Sequence, residues 1–183
     1  QLCMENNPNM IDSLFTPTRC VIHNTQVGQH VRDNRKLFLH KGAWHKFRGY
    51  AYAQQHKIKQ KSNSTNPKRA ETIEKYGYDV KFAYHLVRLM NEVEQIMIEG
   101  DLDLERNREQ LKSIRRGDWS FDDLDAWFKE KEKTLEGVYV SSKLQHEPDE
   151  NKIKSLLLEC LEIHYGNLSE AVVVSGKAEE TLR

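Results

Sequence analysis

A mainly helical, bundle-like fold with at most one or two short strands is expected from three features. Apolar residues recur at spacings of three and four along nearly the whole chain. Gly77 and Gly100 stand just past two of these periodic stretches, where a helix terminator belongs. Only Cys20-Val-Ile-His23 has the look of a strand.

Pro8 sits in a first helical turn behind Asn6-Asn7, with Ile11, Leu14 and Phe15 at helical spacing. Thr25 can cap a helix through Val27 and Val31. A longer helix is expected over about 37–59, where Trp44, Phe47, Tyr50, Ala51 and Gln54 share the period. Residues 60–66 are small and polar and form a loop, after which Pro67 restarts a helix to Tyr76. Asp79 caps a long helix ending near Ile98. Ser120 with Asp123 makes a capping box for a helix carrying Leu124, Trp127, Phe128 and Leu135. Residues 141–151 form a linker, and a last helix over 152–165 aligns Ile153, Leu156, Leu157, Cys160, Leu161 and His164. The tail after Gly166 has Val172–Val174 as its apolar run.

The chain has 183 residues, enough to bury a real core, but only 38% are apolar and 31% are charged, with a mean hydropathy of −0.78. No apolar run approaches the ~20 residues of a membrane span, and residues 1–9 lack a signal-peptide pattern. Three scattered cysteines, Cys3, Cys20 and Cys160, argue for free thiols in a reducing compartment, so the expectation is cytoplasmic. Net charge is zero, yet residues 32–88 hold 14 basic against 4 acidic side chains, and residues 89–183 hold 13 against 22. Such a basic block can face phosphates, or the two blocks can simply face each other.

Most motifs fail on their chemistry. Val172-Val-Val-Ser-Gly-Lys177 lacks the glycine and the hydroxyl of a phosphate loop, since residues 171 and 178 are alanines. Cys20 with His23, and Cys160 with His164, are each half of a zinc site. Asp101-Leu-Asp103 follows a helix end, and Asp123-Leu-Asp125 opens a helix, where carboxylates favour the dipole and cap rather than hold metals.

The stretch 68–88 stands out. On a wheel at about 100° per residue, the helix after Asp79 is apolar nearly all round, while Lys81, His85, Arg88 and Glu92 fall in a stripe roughly 60° wide. That stripe is expected to face solvent, a partner or a cleft. Lys68, Arg69 and Lys75 can approach across the Gly77 turn, and Tyr78 and Asp79 open the helix beside it. Cations converging with an aromatic and an imidazole suit a triphosphate and a base. A solvated edge in which Glu92 pairs Arg88 is the competing reading.

Arg48-Gly-Tyr-Ala-Tyr-Ala-Gln54, Glu74-Lys-Tyr-Gly-Tyr-Asp-Val-Lys-Phe-Ala-Tyr-His-Leu-Val-Arg-Leu89 and Ile114-Arg-Arg-Gly-Asp-Trp-Ser120 occur in one order. This pattern resembles the bacterial and phage-encoded predicted nucleotidyltransferases of the DNA polymerase β superfamily. Asn6-Asn-Pro-Asn-Met10 and Arg32-Asp-Asn-Arg35 also fit, and the resemblance covers about residues 1–164. The resemblance implies an α/β catalytic core with a Gly-Ser motif and a catalytic Asp-x-Asp pair; that core is not in this chain, and Asp101 and Asp103 do not occupy the position of the pair. The chain thus reads as the family's helical part, with 1–36 a connector from that core, 37–165 the helical domain and 166–183 a tail outside the resemblance.

The function so implied is the helical portion of an enzyme that moves a nucleoside monophosphate from an NTP to an acceptor, nucleic acid or protein. The complete enzyme would use Mg²⁺, none of it bound by this chain, and residues 1–183 alone are expected to be inactive. Lys68, Arg69, Lys75, Lys81 and Arg88 would grip phosphates or an acceptor strand, with His85 bonding a phosphate or base and Tyr78 a stacking surface. Asp79 would orient this corner as a cap, and Arg115 and Arg116 are secondary contacts. The alternatives are a non-catalytic nucleic-acid-binding module, or a structural domain whose acidic helices dock a partner or a second copy.

Overall fold

A computed structural model describes residues 1–59 and 67–168, apart from the side chain of Lys68. These residues form eight α-helices and two 3₁₀ turns, with no strand among them. The helices are α1 (Pro8–Phe15), α2 (Gln26–Asp33), α3 (Gly42–Lys59), α4 (Pro67–Tyr76), α5 (Val80–Glu99), α6 (Arg108–Arg116), α7 (Phe121–Ser141) and α8 (Glu150–Tyr165). No described helix is long and apolar enough to cross a membrane. The loop 60–66 and the tail motif at 172–177 lie outside the described residues.

Helix α5 is the axis of the molecule. It packs most extensively on α3, with α6 and α7 on its other sides. Its wheel is apolar nearly all round, so it is enclosed: Ala83, Val87, Met90, Val93 and Ile96 have no exposed surface. Phe47 of α3, Ile114 of α6 and Leu135 of α7 are equally inaccessible and complete this core. Ile11 and Phe15 of α1 belong to it too, so the segment 1–36 contributes to the folded body.

The caps expected at Thr25, Asp79 and Ser120 form, and Asn7 and Asp149 cap two further helices. Asn7, Thr25, Asp79 and Asp149 each accept a backbone N–H of the first turn, and Ser120 and Asp123 close a capping box. Gly77, Gly100 and Gly117 follow helices at positive φ. At Gly117 a side chain is doubly excluded: φ is 78°, and a Cβ would lie 2.0 Å from the Tyr76 ring.

Two expectations need correction. Cys20–His23 is not a strand, because Thr18–Cys20 closes a 3₁₀ turn and Ile22 projects fully into solvent. The helix expected over 37–59 starts at Gly42, since Arg35–Phe38 is a separate 3₁₀ turn. His40 makes the break: its Nδ1 accepts the Gly42 N–H at 3.1 Å while Nε2 reaches the Met4 carbonyl at 2.7 Å. Residues 108–116 also form a helix, for which no expectation was stated.

A second, smaller core holds α8 to the body. Leu156 and Cys160 pack with Phe38, Val27, Val31, Cys3 and Met4. Helix α8 touches α2 and the 3₁₀ turn before α3, and Leu157, Leu158 and Tyr165 are exposed on it.

Candidate functional site

The basic stripe of α5 opens into a cleft of about 260 Å³ between the start of α1, the middle of α3 and the first half of α5. Asn9, Tyr50, Gln54, Lys81, His85 and Arg88 supply its polar lining. The corner is pinned by Asn7: its Oδ1 accepts the Asn9 N–H at 3.1 Å, and its Nδ2 donates to Tyr50 Oη at 3.0 Å. The N-terminus of α1 therefore faces the cleft with its partial positive charge.

Lys81 is exposed at the mouth. His85 is half-buried, and its pKa is pushed down to about 4, first by burial and then by Arg88, Lys81 and Arg115. The imidazole is thus neutral at pH 7, a donor or acceptor rather than a cation. Arg115 of α6 lies with its guanidinium 4.6 Å from the Tyr84 ring centre, and Tyr84 meets His85 edge to face at 5.4 Å. Lys81, His85, Arg88 and Arg115, four residues singled out in the sequence, therefore share one electrostatic neighbourhood.

Arg88 is not free to grip a ligand. Its Nη1 pairs with Asp12 of α1 and, at 3.2 Å, with Glu92 one turn along α5. The stripe expected to face outward runs from exposed Lys81 to Glu92, whose residue surface is 3% accessible, because α1 covers its far end. Burial and the Asp12 carboxylate push the Glu92 pKa up to about 8, against the opposing effect of Arg88. Asp12 Oδ1, Glu92 Oε2 and Arg88 Nε are buried without a hydrogen-bond partner. Removing Arg88 would strand two carboxyl groups, so it holds the structure as much as it lines the cleft.

The remaining singled-out residues are placed elsewhere. Tyr78 is 2% exposed, and its hydroxyl donates to the Trp119 carbonyl at 2.7 Å, which leaves no open ring face for stacking. Asp79 caps α5 through Oδ1, while Oδ2 accepts from Arg69 Nε at 3.0 Å and Nη2 at 2.5 Å. Arg69 also lies 4.3 Å from the Phe82 ring centre. Lys75 sits over Tyr76 at 5.0 Å, and Arg116 pairs with Asp118 at 2.8 Å. Lys68 is the second residue of α4; its side chain is not among those described.

The stretches that carry the family resemblance meet in space. Tyr76 packs on Gly117 and Tyr78 bonds Trp119, joining the segment at 74–89 to the one at 114–120. Tyr50 and Gln54 bring the 48–54 stretch to the cleft, and Asn9 brings 6–10. Asp12, the α1 partner of the cleft-lining Arg88, is not among the residues singled out in the sequence. Its only sequence signal is an acidic residue on the helix that Pro8 opens, and its partner lies 76 residues away.

Among the described residues no group of three His, Cys, Asp or Glu side chains is placed to hold a metal. Asp101 accepts its neighbour's N–H and pairs with Lys36, and Asp103 accepts the Glu105 N–H. The two carboxyl groups nearest the cleft, Asp12 and Glu92, already share Arg88 between them. This donor set does not suit Mg²⁺. Comparison with protein-family models, curated proteins and solved structures returns no match.

Proposed function

We propose that the chain is the helical portion of a nucleotidyltransferase and that its α1–α3–α5 cleft holds the phosphates of an NTP. The reading is supported chiefly by one observation: the cleft joins a helix N-terminus, the Lys81 ammonium, the neutral His85 imidazole and the amide of Gln54 around a space of 260 Å³. The positive end of the α1 dipole and a flexible cation suit phosphate oxygens, and a neutral imidazole can donate to one without charge repulsion from Arg88. The complete enzyme would transfer a nucleoside monophosphate from the NTP to an acceptor. Its Gly-Ser motif, paired aspartates and Mg²⁺ would belong to a catalytic core outside residues 1–183. This part would contribute positioning and charge stabilisation, which dominate phosphoryl-transfer catalysis.

Lys81 is the residue to test, because it is exposed and its loss leaves the core untouched. Titration calorimetry with NTPs should show Lys81→Ala binding about five- to tenfold more weakly than wild type, the worth of one charge-assisted contact. Equal affinity in a folded variant overturns the site assignment.

A second reading, contact with a nucleic-acid acceptor, is favoured by Arg108, Lys112 and Arg115. They recur at i, i+4 and i+7 along the 210 Å³ groove beside Tyr84. Affinity for a single strand that falls steeply with salt and ignores the triphosphate would favour it over the first.

A further inference from the structure

We propose that the outer face of α8 pairs with α8 of a second copy of this chain, antiparallel, about a twofold axis at Leu158. This goes beyond the cleft and does not rest on the nucleotide reading. The inner face of α8 is spent on the second core through Leu156 and Cys160. The outer face is built from two i, i+4, i+8 rows: Leu157, Leu161 and Tyr165 in one, and Lys154, Leu158 and Glu162 in the other. Leu157 is 58% exposed, Leu158 39% and Tyr165 43%, an apolar strip gathered on one helix. Hollows of about 650 and 610 Å³ flank Leu157 on either side, bounded by Val31 and Phe38 on one and by Val27 and Ile163 on the other.

Charge selects the occupant. Lys152 is engaged with Asp149 and Glu159 with His30, whereas Lys154 and Glu162 have no ion-pair partner among the described residues. Both are exposed, and they stand four residues either side of Leu158, about 6 Å along the axis in each direction. An antiparallel copy therefore sets Lys154 against the partner's Glu162, and Glu162 against the partner's Lys154. A parallel copy sets like against like. Antiparallel helix dipoles favour the same arrangement. A face that is apolar along its middle and self-complementary at both ends is the pattern of an isologous interface.

Sedimentation equilibrium of the full chain tests this. Wild type should be a dimer at micromolar concentration. Lys154→Glu alone, or Glu162→Lys alone, places like charges opposite each other twice and should weaken association about tenfold or more. Combining Lys154→Glu with Glu162→Lys should restore the dimer, which only mutual antiparallel pairing explains. Circular dichroism checks that each variant folds, as substitutions at exposed positions should. A wild-type monomer at every concentration overturns the proposal, whether another segment or a different protein covers the face. So does a double variant that associates no better than the singles.

Discussion

Arg88 lies between Asp12 and Glu92, and two carboxyl groups share one guanidinium below the cleft. Burial makes a second buried negative charge expensive, so Glu92 keeps its proton up to about pH 8. An acid whose folded pKa is raised stabilises the protein fully below its ordinary value of 4.5, and that contribution is lost as pH rises toward 8. Asp12 is also raised by burial and acts in the same sense. His85 works oppositely: with its pKa lowered from 6.5 to about 4, it withdraws stability as pH falls through that interval. Above pH 6.5 the His85 effect is spent, and the raised carboxyl groups, Glu92 foremost, govern the slope. Wild type should therefore lose roughly 1–2 kcal/mol between pH 6.5 and 8, and Glu92→Gln should remove that loss. Urea denaturation of both proteins across this interval checks it. Parallel stability curves would show that Glu92 does not carry the buried proton.

At the scale of elements, the joint between α4 and α6 depends on one glycine. Gly117 ends α6 at positive φ, and the Tyr76 ring occupies the space where its side chain would be. Gly117→Ala should cost about 1–3 kcal/mol, lowering the midpoint in thermal denaturation by several degrees. A change within about 0.5 kcal/mol would mean that Tyr76 moves aside freely. The helices themselves were legible where caps and terminators are local, as with Asn7, Asp79, Ser120 and Gly100. Helix α6 was not, because seven of its nine residues are polar or charged and only Leu111 and Ile114 are apolar. The break before α3 escaped notice because His40 acts through Met4, 36 residues away. Likewise, the wheel placed Arg88 and Glu92 on one stripe, but only the packing of α1 could show that the stripe is roofed.

For the whole molecule, part of the basic block is neutralised by the acidic one. Arg48 faces Glu132 and Glu136 of α7, Lys59 pairs with Asp125, and Lys36 with Asp101. Basic α3 and acidic α7 thus neutralise one another across the bundle, and the +10 of residues 32–88 is not one open phosphate-facing surface. Among the described residues, Lys81 at the cleft mouth and Arg115 beside Tyr84 bear on ligand binding, and the outer face of α8 on assembly. The central claim is therefore narrow, that the α1–α3–α5 cleft is a phosphate site. The most direct measurement is an NMR titration of the ¹⁵N-labelled chain with an NTP. Shifts concentrated on Asn9, Gln54, Lys81 and His85, with α8 unmoved, are the predicted result. No shifts at these residues, or shifts confined to Arg108, Lys112 and Arg115, would contradict it.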